Sequence, residues 1–262
     1  MAQVKAHGAA AVLERESQVL ERGDIYFLYR PRVGTDEAHS LRDVERFYIL
    51  LKPWRRHAYR LIIVGRKRLP DPGRHDRFWA FVYRVFSDRK ALNEELGERA
   101  YDTKTRGERK IGAVRPAAEG IYAIVRHGEH THLAYVLELP RRQGAAEREL
   151  NIKREASYVV AVRNPDSPRP ANTGLDSDRD ARFPKKLAEK FRGRRFIPID
   201  PPEFLDYEGA ELMLIGAAEN AEEELGLEFK PDRENLHTAD VLRDLKLPRE
   251  IVREPLFEGE WK

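Results

Sequence analysis

Eight segments of this chain are crowded with β-branched, aromatic and leucine side chains, and short polar turns separate several of them. They are Asp24 to Arg30, Arg46 to Lys52, Tyr59 to Val64, Arg77 to Phe86, Gly120 to Arg126, Leu133 to Leu139, Tyr158 to Arg163 and Glu211 to Ile215. Such residues fit a pleated surface and are enriched in strands. The eighth segment reads equally as the start of a helix. Short turns, like the one holding Pro53, favour antiparallel neighbours. The sustained alternation of strand and helix that a parallel sheet needs is absent. Helical patterns fall at residues 2–22, where Gly23 acts as a stop, and at Ser87 to Leu96, Pro184 to Phe191 and Ala217 to Leu225. The expectation is an α+β protein, a predominantly antiparallel β-sheet with packed helices.

A repeat within the chain bears on its organisation. Phe47 to Ile63 aligns without gaps on Ile121 to Leu137, so that Tyr48 falls on Tyr122 and Lys52 on Arg126. Duplication would give two related β-modules. Residues 1–117 would hold an N-terminal helix and a basic β-module, and residues 118–262 a second β-module with helices and an acidic C-terminal segment. Any two β-hairpins share such alternation, so one continuous domain stays open. Asn164 to Asp180 is rich in Pro, Asp and Ser and reads as a long exposed loop or a module boundary. From Lys230 onward the apolar content is thin, which suits a segment packed over a surface.

The chain has no cysteine, which excludes disulfides, thiolate metal sites and a cysteine nucleophile. No stretch approaches the roughly 20 apolar residues of a spanning helix, and residues 1–23 lack an apolar run of signal-peptide length. The expected compartment is the cytoplasm, with no membrane partner. Charged residues make up 35% of the chain, and amide and sulfur residues are scarce, a pattern compatible with a heat-adapted host or with genomic composition bias.

Charge is distributed unevenly. Residues 1–200 hold 41 Lys and Arg against 28 Asp and Glu, whereas residues 201–262 hold 7 against 17. Within the basic body, residues 51–110 hold 17 against 8. Arg55, Arg56, Arg66, Lys67, Arg68, Lys104, Arg106, Arg109 and Lys110 lie there, with Trp54 and Tyr101 among them. Arginine forks grip phosphate in pairs of hydrogen bonds, and aromatic rings offer stacking platforms for bases. Seven more cations stand against Glu189 between Arg182 and Arg195. These features point to a non-catalytic binding protein that contacts RNA or another polyanion, without a cofactor.

A second chemistry is written in Arg126-His127-Gly128-Glu129-His130-Thr131-His132, at the turn of a predicted hairpin. Residues two apart on a strand share a face, so His130 and His132 with Glu138 could hold Zn or Fe in a metal-dependent enzyme. The pair resembles the His-x-His element of cupin-type metal sites. The glutamate spacing departs from that element, because Glu138 follows His132 after five residues, and no second cupin motif is present. Gly23-Asp24-Ile25-Tyr26-Phe27 resembles the Gly-Asp strand openings of PUA-like RNA-binding barrels over five residues only.

Asp200, Glu203, Asp206 and Glu208 gather carboxylates just ahead of Glu211; paired carboxylates could bind a divalent cation or do acid–base work, and an acidic cap is the commoner role. The commonest hydrolase, NTPase and dinucleotide signatures are absent. A third class of function remains: a structural or assembly protein in which the acidic end of one copy meets the basic body of another and builds a homo-oligomer.

Overall fold

The structure is a computed structural model. It describes residues 17–35, 37–103, 107–168, 179–232, 234–235 and 238–262, with the backbone alone for 101–103 and 107–109. Strands β1 (Ser17–Pro31), β2 (Val44–Pro53), β3 (Tyr59–Val64) and β4 (Arg77–Phe86) form an antiparallel meander. A separate hairpin comes next, made of β5 (Arg99–Thr103) and β6 (Gly107–Ile111). Strands β7 (Arg115–His127), β8 (His130–Leu139) and β9 (Glu155–Arg163) form a second meander. Short β10 (Phe196–Pro198) pairs with β9 beyond the end of β8, and β11 (Glu211–Ala218) pairs with the other side of β9. β1 also pairs with β7, and β11 with β4. Eight strands therefore close into an antiparallel barrel in the order β1, β2, β3, β4, β11, β9, β8, β7.

This corrects the expected α+β sheet with helices packed on it. The strands were legible, but their closure was not. Segments such as Gly120 to Val125 are buried along their whole length. A continuous apolar run signals burial on both faces without saying what covers either one. Here the inner face meets other strands across the barrel. The outer face is covered by short helices, among them α1 (Arg89–Leu96), α4 (Ala221–Leu225), α5 (Asp240–Arg243) and α6 (Arg249–Val252).

The helix expected over residues 2–22 is corrected in its second half: 17–22 begin β1, and 1–16 lie outside the described residues. Pairing of Ser17 to Arg22 with Ala123 to His127 overrides local helix preference. Ala217 and Ala218 end β11, and the helix beyond them starts only at Ala221. Of the loop expected at Asn164 to Asp180, residues 169–178 lie outside the described residues. The aligned segments Phe47 to Ile63 and Ile121 to Leu137 fall on the β2–β3 and β7–β8 hairpins.

Eight strands leave an interior just wide enough for side chains to fill. Ile25, Phe27, Ile49, Tyr122, Ile124, Tyr135, Tyr158 and Leu214 are among those filling it. The remaining void, about 10 Å³, is at the limit for one water molecule. The lumen is thus a core and holds no ligand space. Among the described residues, no helix is long and apolar enough to cross a membrane.

The acidic C-terminal segment is part of this core rather than an appendage. β11 is a barrel stave, and Phe204 and Leu205 sit in the interior cluster. Beyond it, Ala239, Val241, Leu245, Leu247, Val252 and Leu256 cover Tyr26, Leu28, Tyr48, Leu50, Leu61 and Ile63 on the outer face. The face they cover is itself acidic. Glu119 accepts hydrogen bonds from the backbone N–H groups of Asp240 (3.2 Å) and Val241 (2.7 Å), and Glu138 accepts one from Asp232 (2.6 Å). Apolar contact and backbone donors hold the segment there, together with the ion pair from Lys52 on β2 to Asp244. Burial, and after it the nearby carboxylates Asp240, Glu234 and Asp232, pushes Glu138 up to about 7. Burial likewise pushes Glu147, in α2 (Ala145–Leu150), up to about 7 while it accepts the Gly144 N–H at 2.6 Å.

These two carboxyls make stability depend on pH in a definite direction. Unfolded, a glutamate titrates near about 4.3. The folded chain therefore keeps protons that the unfolded chain releases from there up to about pH 7. Their stabilising contribution is complete at the acidic edge of that window and is lost as pH rises through it. Urea midpoints measured from about pH 5 to pH 8 should fall, and Glu138→Gln combined with Glu147→Gln should flatten the fall. An identical slope in the double variant would contradict this account.

Candidate nucleic-acid interface

Call the upper end of the barrel the one where β1 starts and β2 finishes. The β2–β3 turn, the β7–β8 turn, the end of β9 and the segment leading into β11 all meet there. Pro202–Asp206, a short 3-10 helix, closes this end by inserting Phe204 and Leu205 into the interior. Phe183 and Phe191 pack edge to face on Phe204, and Tyr207 packs on Phe183 in turn.

Arginine fixes this plug. Arg126 donates to Asp200 at 2.7 Å and also bonds Gln18. Arg56 reaches Asp206 at 2.7 Å. From inside the barrel, Arg60 donates to Asp206 at 2.8 Å and to Glu21 at 2.5 Å, and Tyr122 donates to the same Glu21 oxygen at 2.9 Å. Arg60 is fully buried. Further out, Arg84 pairs with Glu208 at 3.5 Å, and Arg163 bonds Glu211. The carboxylates that the sequence gathers around 200–211 are therefore engaged largely by arginines. They anchor the plug, a more specific role than an acidic cap, and one that only strand pairing across the ring reveals.

Two grooves flank the plug. One, of about 470 Å³, is lined by Val19, Leu20, Trp54, Arg55, Arg56 and Pro202 with their neighbours. Trp54 is 53% exposed and Val19 is 37% exposed, and these are the exposed large apolar side chains among the described residues. The Trp54 ring is held in place, because its indole N–H donates to Asp24 at 2.5 Å. The other groove, of about 530 Å³, is lined by Arg126, His130, Lys186, Lys190, Arg192 and Arg194, with Glu129, Glu189 and Asp200 at its margins. Lys186 lies in α3 (Lys185–Ala188) and Lys190 in the 3-10 turn after it, which ends at Arg192 in the left-handed region (φ 46°). Among the described residues, Lys186, Lys190, Arg192 and Arg194 have no carboxylate at ion-pair distance. Of the described residues in 201–262, only Pro202 and Glu203 line either groove. Pro202–Asp206 forms the floor between the two grooves, and the rest of the described acidic segment lines neither of them.

The residues singled out in the sequence are divided by the fold. Trp54, Arg55 and Arg56 share the first groove. Arg66, Lys67 and Arg68 follow β3 at the lower end, a strand length of about 20 Å away. Arg66 lies over the Phe78 ring, and Lys67 donates to the Val44 carbonyl at 2.7 Å. The β5–β6 hairpin also leaves from the lower end, where buried Arg30 binds the carbonyls of Glu95, Gly97 and Gly112. Lys110, on that hairpin, pairs with Glu98 at 2.8 Å. Tyr101 and Arg109 stand opposite in its register, with their side chains outside the described residues, as are Lys104 and Arg106.

His130 is exposed at the β7–β8 tip, whereas His132 is buried. Burial first, then His127 and His130, lowers His132 to about 4, so it is neutral near pH 7. Its ring lies 5.8 Å from that of His127. Glu138 stands six residues further along β8, about 20 Å away, so His130, His132 and Glu138 are not brought around one ion. Among the described residues, the group of three that can share an ion is Asp24, Asp240 and Asp244. Sequence reading missed the joining of the His-containing turn to the cluster at 182–195. The only signal was that both are basic. No family model matches the chain, and no curated protein or solved structure matches it either.

Replacing Arg60 with methionine tests the plug. The change takes the shared cation from Glu21 and Asp206, which are partly buried, while Asp206 keeps Arg56; removing one partner of a fully buried pair costs about 3–5 kcal/mol, so about 3 kcal/mol is expected here. Denaturant unfolding should show a loss of that size, with less loss when Glu21→Gln is added. A cost below about 1 kcal/mol would mean the network does not hold this end.

Proposed function

We propose that the protein is a non-catalytic binding protein that takes single-stranded nucleic acid, RNA foremost, at the upper end of the barrel. The observation that carries the reading is a half-exposed tryptophan held rigid beside a basic groove. A fixed indole loses little freedom on stacking, and stacking is sequence-tolerant because every base has a π-face. Arg55 and Arg56 stand beside Trp54, suited to phosphates on either side of a stacked base. Lys186, Lys190, Arg192 and Arg194, with Arg126, outnumber Glu129, Glu189 and Asp200 in the other groove and leave it net positive. A backbone crossing the plug from one groove to the other would meet both features. The filled lumen favours a surface ligand over an enclosed small molecule.

Titration of a labelled single-stranded RNA, followed by anisotropy, tests this. With four phosphates neutralised, log affinity should fall with log salt at a slope of about −3. Trp54→Ala should weaken binding by about 5- to 150-fold, the worth of one stacked base. Arg192→Glu with Arg194→Glu should weaken all sequences alike and make the salt slope shallower. Affinity that is flat in salt and unchanged in both variants would overturn the reading. Binding to heparin equal to RNA, and indifferent to Trp54→Ala, would replace nucleic acid with a general polyanion.

A further inference from the structure

Away from the plug, the outer face of β1 meets the C-terminal segment through carboxylates. Asp24 and Tyr26 are two apart on β1 and share its outer face. Asp240 opens α5 and Asp244 follows its last turn, a spacing that puts both on one side of the helix. One oxygen from each of Asp24, Asp240 and Asp244 lies within 4.8 Å of the others. Two oxygens on opposite sides of a calcium ion at about 2.4 Å are separated by that much. Asp24 and Asp240 are buried, 8% and 7% exposed.

A second observation is independent of the acids. The Tyr26 hydroxyl is fully buried and has no hydrogen-bond partner among the described residues. The residue lies on the strand face that carries Asp24 and belongs to the same buried cluster as Ala239 and Val241, the residues on either side of Asp240. A buried phenol left without a partner is costly and calls for one. Charge points the same way. Lys52 bonds Asp24 and Asp244, and Arg243 bonds Asp240. Against the three aspartates, these two cations leave one negative charge.

We propose that Asp24, Asp240 and Asp244, with the Tyr26 hydroxyl beside them, bind one divalent cation of the hard, oxygen-seeking class, calcium, magnesium or manganese, between the barrel and its C-terminal cover. All the donors are oxygens, which suits that class and disfavours zinc or copper. The ion would tie α5 to β1. It would also set the position of Asp24, whose other oxygen holds the Trp54 indole. The proposal does not rest on nucleic-acid binding.

The test uses the full chain stripped of metal with EDTA and titrated with Mn²⁺, free ion being counted by electron paramagnetic resonance. One Mn²⁺ per chain should bind, be displaced by Ca²⁺ or Mg²⁺, and raise the melting temperature in proportion to the logarithm of ion concentration. Asp240→Asn and Asp244→Asn should each weaken binding at least tenfold. Tyr26→Phe removes only the hydroxyl and keeps the packing, so it should weaken binding several-fold with the fold intact. No stoichiometric Mn²⁺, or binding unchanged in Asp240→Asn and Asp244→Asn, would overturn the proposal. So would binding that appears only in Lys52→Met, which would make the Lys52 ammonium the resident cation.

Discussion

Two strands hold this molecule together by pairing on both of their edges. β1 joins β2 to β7, and β11 joins β4 to β9. Without these junctions the chain would be two four-stranded meanders, each with open edges and an uncovered apolar face. Open edges invite pairing with other chains, and closure removes them. Backbone approach at the β1 junction is close enough to need glycine. A Cβ on Gly23 would lie 2.2 Å from the Lys52 carbonyl oxygen and 2.6 Å from Tyr122. Across the β7–β8 pair, a Cβ on Gly120 would lie 2.2 Å from the Val136 carbonyl oxygen.

Closure dictates where chemistry can sit. A ring of eight strands must be filled, and its apolar side chains fill it, so polar sites are pushed to the ends and the outer surface. At the upper end the filling is completed by the plug, where Arg60 and Arg163 make buried ion pairs and Arg56, Arg84 and Arg126 make exposed ones. Buried pairs are weak sources of net stability, but they penalise any arrangement that separates the partners. That makes the plug a fixed floor between two grooves. Rigid floors with a tryptophan on one side and an excess of cations on the other are what a single strand of nucleic acid can use.

Charge asymmetry along the chain favours an acidic end that seeks a basic body. The fold bears this out at the plug, where Arg56 and Arg60 meet Asp206 and Arg163 meets Glu211, but not as the main force on the outer face. The C-terminal segment docks on a face carrying Asp24, Glu119 and Glu138, held by apolar contact and by backbone N–H groups donated to carboxylates. Exposed opposite charges contribute little individually, so they do not dictate docking. Apolar area does, and it draws acids into a shared layer where they raise one another's affinity for protons or for a metal ion.

The sequence by itself determined where the strands lie, because density of β-branched and aromatic residues is a local property. β3 and β4 run over the expected residues, and β2, β8, β9 and β11 extend the expected ones by only a few. It also determined the absence of thiol chemistry and the basic character of Trp54 to Arg56 and of Arg182 to Arg195. Only the tertiary structure decided that the sheet closes, since periodicity tells which face is buried and not which strand is the neighbour. Segment 17–22 shows the cost of local reading, where a helical pattern yielded to pairing with β7. The same limit hid the sites. Arg60 meets Asp206 across 146 positions of sequence, and Asp24 meets Asp244 through Lys52 across 220. Contacts at such separation are set by register around a closed ring, and no local pattern carries them.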